Sequence, residues 1–295
     1  MFNRSLAIVL ITVVCSTRLI AQSSAHVPSF HVQVSGKGPA VILIPGLAAS
    51  GEVWDATVAH LASRFECHVL TLAGFAGEPS VAPPLLDRVG RDLAAYIAQR
   101  GLNRPIVIGH SLGGTLALWL AGREPTSVGP LVIVDALPFM GGVLMPGATP
   151  DSVRPLAERI RKSIVGQSRE QYEAFTRSSP VLKTMVSRER DLERVTAWSL
   201  GSDPTTVGEA LYELYTTDLR PSLANIVTPT HVVGTWLAYR DFQTRDQTER
   251  VFRDQYAALK GYELVMTDSA RHFVMLDDPA WFHQQLDEFL SKVSR

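Results

Sequence analysis

The chain has 295 residues, of which 46% are hydrophobic and 19% are charged, and its formal net charge is −1. This composition agrees with a single soluble domain, and a charge so close to zero argues against nucleic acid or an anionic membrane as a partner. The length suits one large domain that carries an insertion.

The first 25 residues have the pattern of a secretory signal peptide, with Arg4 before an apolar run at 6–14 and small residues at 21–25. We predict that the mature chain begins between Gln22 and His26, is periplasmic or secreted, and has no membrane attachment after cleavage. An uncleaved anchor is the alternative, which Arg18 opposes because it interrupts the apolar run before it reaches spanning length. Cleavage leaves Cys67 without a disulfide partner.

Apolar runs alternate with helical patterns along most of the chain, which predicts an α/β fold with a mainly parallel sheet. The predicted strands cover residues 30–34, 41–44, 68–71, 105–108, 131–134, 231–234 and 263–266. The predicted helices cover residues 54–64, 85–100, 112–121, 246–259 and 279–293. Residues 137–225 break this alternation, because they contain several charged helical stretches and no strand pattern.

The most specific motif is the pentapeptide GHSLG at 109–113, which directly follows the apolar run at 105–108. In a G-x-S-x-G elbow the serine lies on a sharp strand-to-helix turn, and small neighbours let its backbone adopt that geometry with the hydroxyl exposed. Ser111 is therefore the candidate nucleophile. A tight connection or an anion-binding helix start is the alternative interpretation, and the helical pattern that follows favours the elbow.

A late histidine, His272, lies in the sequence RHFVML at 271–276, after the strand-like run at 262–267. The order of serine and then histidine matches the α/β-hydrolase order and differs from the two common serine-protease orders. From Pro39 onward the chain resembles the α/β-hydrolase superfamily. The marks of that resemblance are the sequence LIPGL at 43–47, Trp54, the Ser111 elbow and the His272 loop.

The resemblance implies a mainly parallel sheet flanked by helices, with a helical cap inserted after the family's sixth strand. Residues 137–225 fall at that place, so we divide the chain into a signal peptide at 1–25, a first core part at 26–136, the cap at 137–225 and a second core part at 226–295. We expect the cap to select the substrate, because inserts over the carboxyl ends of the strands form the pocket.

Further site residues follow from their positions in the family pattern. The backbone N–H groups of Leu47 and Leu112 are expected to form the oxyanion hole, although Pro45-Gly46 stands where many relatives have His-Gly. His110 is expected to pack near the sheet and not to act as the base. Trp54 and Cys67 are expected in the core.

The acidic partner of His272 is expected in the loop after the family's seventh strand, which corresponds here to residues 231–234. The exit WLAYRD at 236–241 is longer than the usual spacing, and we predict that Asp241 is the acid and that Asp246 caps the next helix. Asp135, directly after the strand at 131–134, is the alternative, because some relatives carry the acid after the sixth strand.

Together Ser111, His272 and Asp241 predict a serine hydrolase. We expect it to cleave small-molecule carboxylic esters through an acyl-enzyme. We expect no metal and no organic cofactor, because neither a ligand spacing nor a dinucleotide fingerprint occurs in the sequence. The alternatives are thioester, lactone or carbon–carbon bond hydrolysis on the same residues, and a hydrolase shell that only binds a ligand.

Overall fold

The computed structural model of the chain describes residues 28–143 and 147–293. The predicted signal peptide and its cleavage site lie outside these ranges and stay a prediction. Among the helices of the described ranges, none combines the length and the apolar character that a membrane crossing requires.

One sheet forms the centre of the molecule, with the strand order β1-β3-β2-β4-β5-β6-β7. Its strands are β1 (Phe30–Gly36), β2 (Ala40–Ile44), β3 (Glu66–Leu72), β4 (Ile106–His110), β5 (Leu131–Val134), β6 (Thr230–Thr235) and β7 (Glu263–Thr267). β1 is antiparallel to β3, and the other neighbouring pairs are parallel. All seven predicted strands are present, and the predicted mainly parallel sheet is confirmed.

Helices cover both faces of the sheet. In the described residues the α-helices are α1 (Asp55–Leu61), α2 (Leu85–Gln99), α3 (Leu112–Arg123), α4 (Pro150–Val165), α5 (Arg169–Ser178), α6 (Pro180–Met185), α7 (Glu189–Gly201), α8 (Pro204–Thr216), α9 (Arg245–Gln255), α10 (Val274–Asp277) and α11 (Pro279–Val293). Short 3-10 helices lie at Gly51–Trp54, Met140–Val143 and Arg220–Asn225.

The core has two layers, because successive residues of a strand point to opposite faces of the sheet. In β2, Val41 and Leu43 pack with the buried residues of α1 and α11. Ile42 and Ile44 face the other way and pack with those of α2 and α3. A strand buried on both faces requires a continuous apolar sequence, which is why these strands were recognisable as runs.

The carboxyl ends of the central strands meet at one edge of the sheet. Ile44 of β2 pairs with Gly109 of β4, His110 pairs with Val134 of β5, and Val134 pairs with Val233 of β6. The residues that leave these four strands are therefore neighbours in space, although long stretches of sequence separate them. Ligands of open α/β sheets bind at this edge.

Helices α4 to α8 are inserted between β5 and β6, inside the predicted cap at 137–225, whose exact boundaries stay a prediction. α4 packs along α8 at close range, since a β-carbon on Gly208 would lie 2.7 Å from Val165 Cγ2. Glu213 of α8 accepts the backbone N–H groups of Leu85 and Leu86, each at 2.7 Å. These bonds cap α2 and attach the inserted helices to the core.

Two residues predicted for the core are buried there. Trp54 is fully buried, with its ring centroid 6.2 Å from that of Phe282. Cys67 lies buried in β3, where burial raises the pKa of its thiol to about 11. At this pKa the thiol is protonated near neutrality, and it acts as a small apolar side chain.

The start of α9 differs from the prediction. The side chain of Thr244 accepts the N–H of Gln247, and the side chain of Gln247 accepts the N–H of Thr244. Thr244 is thus the N-cap, and Asp246 lies in the first turn, where its charge favours the positive end of the helix dipole.

Candidate active site

Ser111 lies between β4 and α3 with φ 52° and ψ −118°, in the positive-φ region that non-glycine residues rarely adopt. Its N–H donates to Val134 O at 2.9 Å, and its carbonyl accepts the N–H of Thr115 at 3.0 Å. The sheet on one side and the helix on the other therefore hold the strained residue in place. Such strain is typical of functional sites.

The two glycines of the elbow are required by the lack of space around them. A β-carbon at Gly109 would lie 2.2 Å from Gly113 O, and one at Gly113 would lie 2.2 Å from Ile44 O. Both obstacles are backbone atoms, which cannot turn away as a side chain can. The G-x-S-x-G spacing therefore follows from the tight contact of α3 with β4 and with the end of β2.

We expect Gly113→Ala to destabilise the protein by about 1–3 kcal/mol, since the added methyl forces backbone apart, and to lower activity because the loop after β2 must move. Gly166→Ala is the matched control: it lies at the end of α4, where an added β-carbon finds its nearest atom, Lys162 O, at 3.7 Å. Urea unfolding of both variants provides the test. Equal stabilities for the two variants would contradict this explanation of the motif.

His272 is paired with Asp135. Its Nδ1 lies 2.5 Å from Asp135 Oδ2, and the side chains are 13% and 1% exposed, respectively. Asp135 follows β5 directly, its N–H donates to Val233 O at 2.7 Å, and its φ is 44°. This bend at the strand end turns the chain away from the sheet beside the His272 loop. A buried imidazole–carboxylate pair of this kind fixes the ring orientation and leaves Nε2 for a reacting group.

The structure corrects the predicted pairing of Asp241 with His272. Asp241 lies exposed in the turn that follows β6, and His272 meets the carboxylate of the neighbouring strand instead. The long exit after β6 forms a turn of its own, so the acid predicted from chain order is carried out into solvent. Asp135, the alternative considered from the sequence, occupies the position.

The carboxylate of Asp135 has two further donors. Thr235 N–H donates to Oδ1 at 3.3 Å, and the hydroxyl of Tyr239 donates to Oδ2 at 3.3 Å. A buried charge is tolerated only where hydrogen bonds or an opposite charge replace its water. The end of β6 and the turn after it provide those donors. Sequence reasoning missed both, because neither residue belongs to a motif.

Of the two expected oxyanion donors, Leu112 follows Ser111 directly in the chain, and Leu47 lies in the loop after β2. Leu112 is the first residue of α3, and the first N–H groups of a helix have no acceptor within it. The loop after β2 approaches so closely that a β-carbon on Gly46 would lie 3.2 Å from Ser111 Cβ. Leu47 follows Gly46, so its amide belongs to the same neighbourhood.

His110 lies behind the site, fully buried, with its ring centroid 4.5 Å from that of His272. Its Nε2 donates to the backbone oxygen of His272 at 3.1 Å. Burial first, and then the nearby His272, hold the pKa of His110 well below its usual range. His110 is therefore neutral and supports the His272 loop, which agrees with the expectation that it packs near the sheet.

The His272 loop is also held by the inserted helices. Asp277 accepts the N–H of Arg271 at 2.9 Å and the N–H of Ser187 at 2.8 Å. The guanidinium of Arg271 donates to the carbonyls of Lys183 and Val186 at 2.8 and 2.9 Å. The position of His272 thus depends on the insertion as well as on the sheet.

Ser111, Asp135 and His272 border one pocket, with a cavity volume of about 80 Å³. Its wall is mainly apolar and comes from the segment after β5, from α8 and from α9. The apolar lining residues include Leu137, Met140, Leu214, Val251 and Phe252. The site therefore combines a half-buried serine at the pocket, a half-buried imidazole paired with a buried carboxylate, and an apolar slot.

Known proteins resemble the chain in both sequence and structure. The family model of the alpha/beta hydrolase family matches residues 41–285. A pimeloyl-acyl-carrier-protein methyl ester esterase of Nitrosomonas europaea is 31% identical over 209 residues, which cover 68% of this chain and 78% of that protein. An N-formylmaleamate deformylase of Pseudomonas putida is 30% identical over 158 residues, which cover 52% of this chain and 57% of the relative.

Among solved structures, a hydrolase from Pseudomonas aeruginosa matches with a TM-score of 0.72 at 21% identity, covering 88% of this chain and 94% of that one. At this identity the likeness concerns the fold. The family match covers most of the chain and includes the elbow and the histidine loop. The chain therefore belongs to the alpha/beta hydrolase family and is a hydrolase.

Proposed function

We propose that the protein hydrolyses carboxylic esters through an acyl-enzyme on Ser111. The observation that carries this proposal is the shared pocket of a strained, glycine-flanked serine and a histidine whose Nδ1 lies 2.5 Å from a buried carboxylate. These are the parts of a serine-nucleophile mechanism: a serine at the pocket, a base, and a group that orients the base. The third member of the proposed triad is Asp135.

In the proposed reaction, His272 Nε2 takes the proton of Ser111 as its oxygen attacks the ester carbonyl carbon. The tetrahedral intermediate collapses with loss of the alcohol, which receives that proton from His272. A water then attacks the acyl-enzyme carbonyl with His272 again as base, and the second tetrahedral intermediate collapses with release of the acid as Ser111 Oγ takes the proton back from His272. Asp135 orients the imidazole and stabilises the imidazolium that forms in each half-reaction.

The backbone N–H groups of Leu47 and Leu112 are the proposed donors to the oxyanion. Both belong to elements that the sheet and α3 fix in place, so they need no rearrangement when negative charge develops. The apolar wall of the pocket suits a substrate whose acyl or alcohol part is apolar, since that surface leaves water on binding. An esterase among the relatives supports an ester as the substrate.

A panel of p-nitrophenyl esters and matched acyl thioesters tests the proposal. We expect ester turnover that is saturable and lost in Ser111→Ala, with thioesters of the same acyl group hydrolysed less efficiently. Gly166→Ala, at the end of α4 and outside the pocket lining, should keep wild-type rates. Thioester turnover without ester turnover would replace the ester assignment, and turnover of neither by the folded protein would contradict the proposed function.

A further inference from the structure

The turn at residues 236–243, which follows β6, brings a tyrosine to the acid of the site. The hydroxyl of Tyr239 donates to Asp135 Oδ2 at 3.3 Å. The same oxygen lies 2.5 Å from Nδ1 of His272. Tyr239 thus contacts the carboxylate oxygen that orients the imidazole, and its side chain also borders the pocket.

The backbone of Tyr239 is fixed by its own turn. Its N–H donates to Trp236 O at 2.9 Å, and its carbonyl accepts the N–H groups of Phe242 and Gln243 at 2.8 and 2.9 Å. Trp236, the first residue of the segment, donates from Nε1 to Asp268 Oδ1 at 2.7 Å, and Arg245, at the start of α9, donates from Nε to the same oxygen at 2.9 Å. The hydroxyl is therefore presented to Asp135 by a turn that has hydrogen bonds in its middle and on both of its flanks.

In the hydrogen bond between Tyr239 and Asp135, the phenol is the donor and the carboxylate is the acceptor. Burial, and then the charge of Asp135, raise the pKa of the Tyr239 phenol well above its usual range. The phenol therefore stays protonated in the working range of pH, and it donates to the carboxylate. With Thr235 N–H on Oδ1, the bond from Tyr239 leaves the two oxygens oriented by two protein donors besides His272.

We infer that Tyr239 is a positioning residue that holds Asp135 against His272 during the reaction, an inference that rests on the proposed function. The bond is longer than an ordinary hydroxyl–carboxylate bond, and catalytic hydrogen bonds in free enzymes often shorten only when the reacting complex forms. As positive charge develops on His272, the carboxylate is drawn toward the ring. The phenol, attached to its rigid turn, keeps Oδ2 in line with Nδ1.

This role also explains the long exit after β6. The segment in which the sequence pattern led us to expect the acid, residues 236–241, carries its carboxylate into solvent at Asp241. The same segment presents the hydroxyl of Tyr239 to the acid of the neighbouring strand. The turn after β6 therefore contributes a donor to the pair, and β5 contributes the acceptor.

The test is Tyr239→Phe, which removes the hydroxyl and keeps the ring in the pocket wall. We expect a kcat about tenfold lower, in keeping with the loss of one hydrogen bond to a charged group, and a KM within about twofold, because the ring still lines the pocket. Rates are expressed per active site titrated with a fluorophosphonate, so that loss of folded protein does not count as loss of catalysis. Tyr96→Phe, which removes a 2.7 Å bond to His68 of β3, is the matched control and should keep the wild-type kcat, because β2, β4 and β5 separate β3 from β6 in the sheet.

A double-mutant cycle with Asp135→Asn shows whether Tyr239 acts through the acid. The rate of phosphonylation of Ser111 by excess reagent is measured in all four proteins, since it needs no turnover. We expect Tyr239→Phe to slow this rate about tenfold in the wild type and to have little effect once Asp135 is Asn. An equal loss in both backgrounds, or no loss in the wild type, would overturn the inference.

Ser111→Ala, assayed on the same ester, separates this inference from the proposed function. If Ser111→Ala keeps turnover, the proposed function fails whatever Tyr239→Phe does. If Ser111→Ala is inactive and Tyr239→Phe matches the wild type, the proposed function stands and the role of Tyr239 is refuted.

Discussion

Replacing Ser111 by alanine is expected to lower ester turnover by roughly 10⁴-fold or more, because the variant lacks the only hydroxyl proposed to form the acyl-enzyme. Stability should change little, since alanine accepts the same positive φ at the same cost as serine and the elbow glycines remain. Steady-state kinetics on one p-nitrophenyl ester, with circular dichroism and urea unfolding on the same samples, measure both quantities. A loss below about tenfold in a folded variant would remove Ser111 from the proposed chemistry.

The second large loss of turnover is expected from replacing Asp135, the proposed acid of the triad. Asp135→Asn should lower turnover by about 10⁴-fold, because an amide beside Nδ1 favours the wrong tautomer of His272 and cannot stabilise the imidazolium. Asp241→Asn is the matched control, with the same chemical change at an exposed position, and it should stay within about twofold of the wild type.

Both variants are assayed on the same ester at the same pH. The ratio of the two turnover rates shows which carboxylate, Asp135 or Asp241, supports His272, and it does not depend on the absolute rates. Near-normal turnover in Asp135→Asn together with collapse in Asp241→Asn would reverse the assignment made from the 2.5 Å contact.

The sheet was predictable because its central strands are buried on both faces. β2, β4 and β5 are continuous apolar runs, and such runs bounded by turn residues are a strong signal for strands of a parallel sheet. The inserted helices were predictable only as a region. Their faces are partly exposed and charged, and the local pattern of α5 or α6 does not fix where each helix begins.

The elbow was predictable because its geometry is local. Gly109 and Gly113 lie four positions apart and meet each other and β2 directly, so the sequence motif and the structural requirement coincide. His272 was recognisable from chain order and from the apolar residues behind it. In both cases a short stretch of sequence carries the relevant constraint.

The carboxylate that pairs with His272 was not the predicted Asp241, because this pairing depends on residues far apart in sequence. Asp135 reaches His272 because β5 lies beside β6, because its own φ is positive, and because Thr235 and Tyr239 supply donors to it. Residues 136 to 271 separate the two partners along the chain. Spacing within the segment after β6 contains no information on this arrangement, and so Asp241 was favoured.

Ser111 is proposed to be activated as a nucleophile by the His272–Asp135 pair. The most direct test is covalent labelling with a fluorophosphonate, followed by peptide mapping and mass spectrometry of the adduct. We expect one adduct per chain, on Ser111, formed rapidly in the wild type and in Asp241→Asn and far more slowly in Asp135→Asn and His272→Ala. An adduct on another residue, or equal labelling rates in Asp135→Asn and Asp241→Asn, would contradict this proposal.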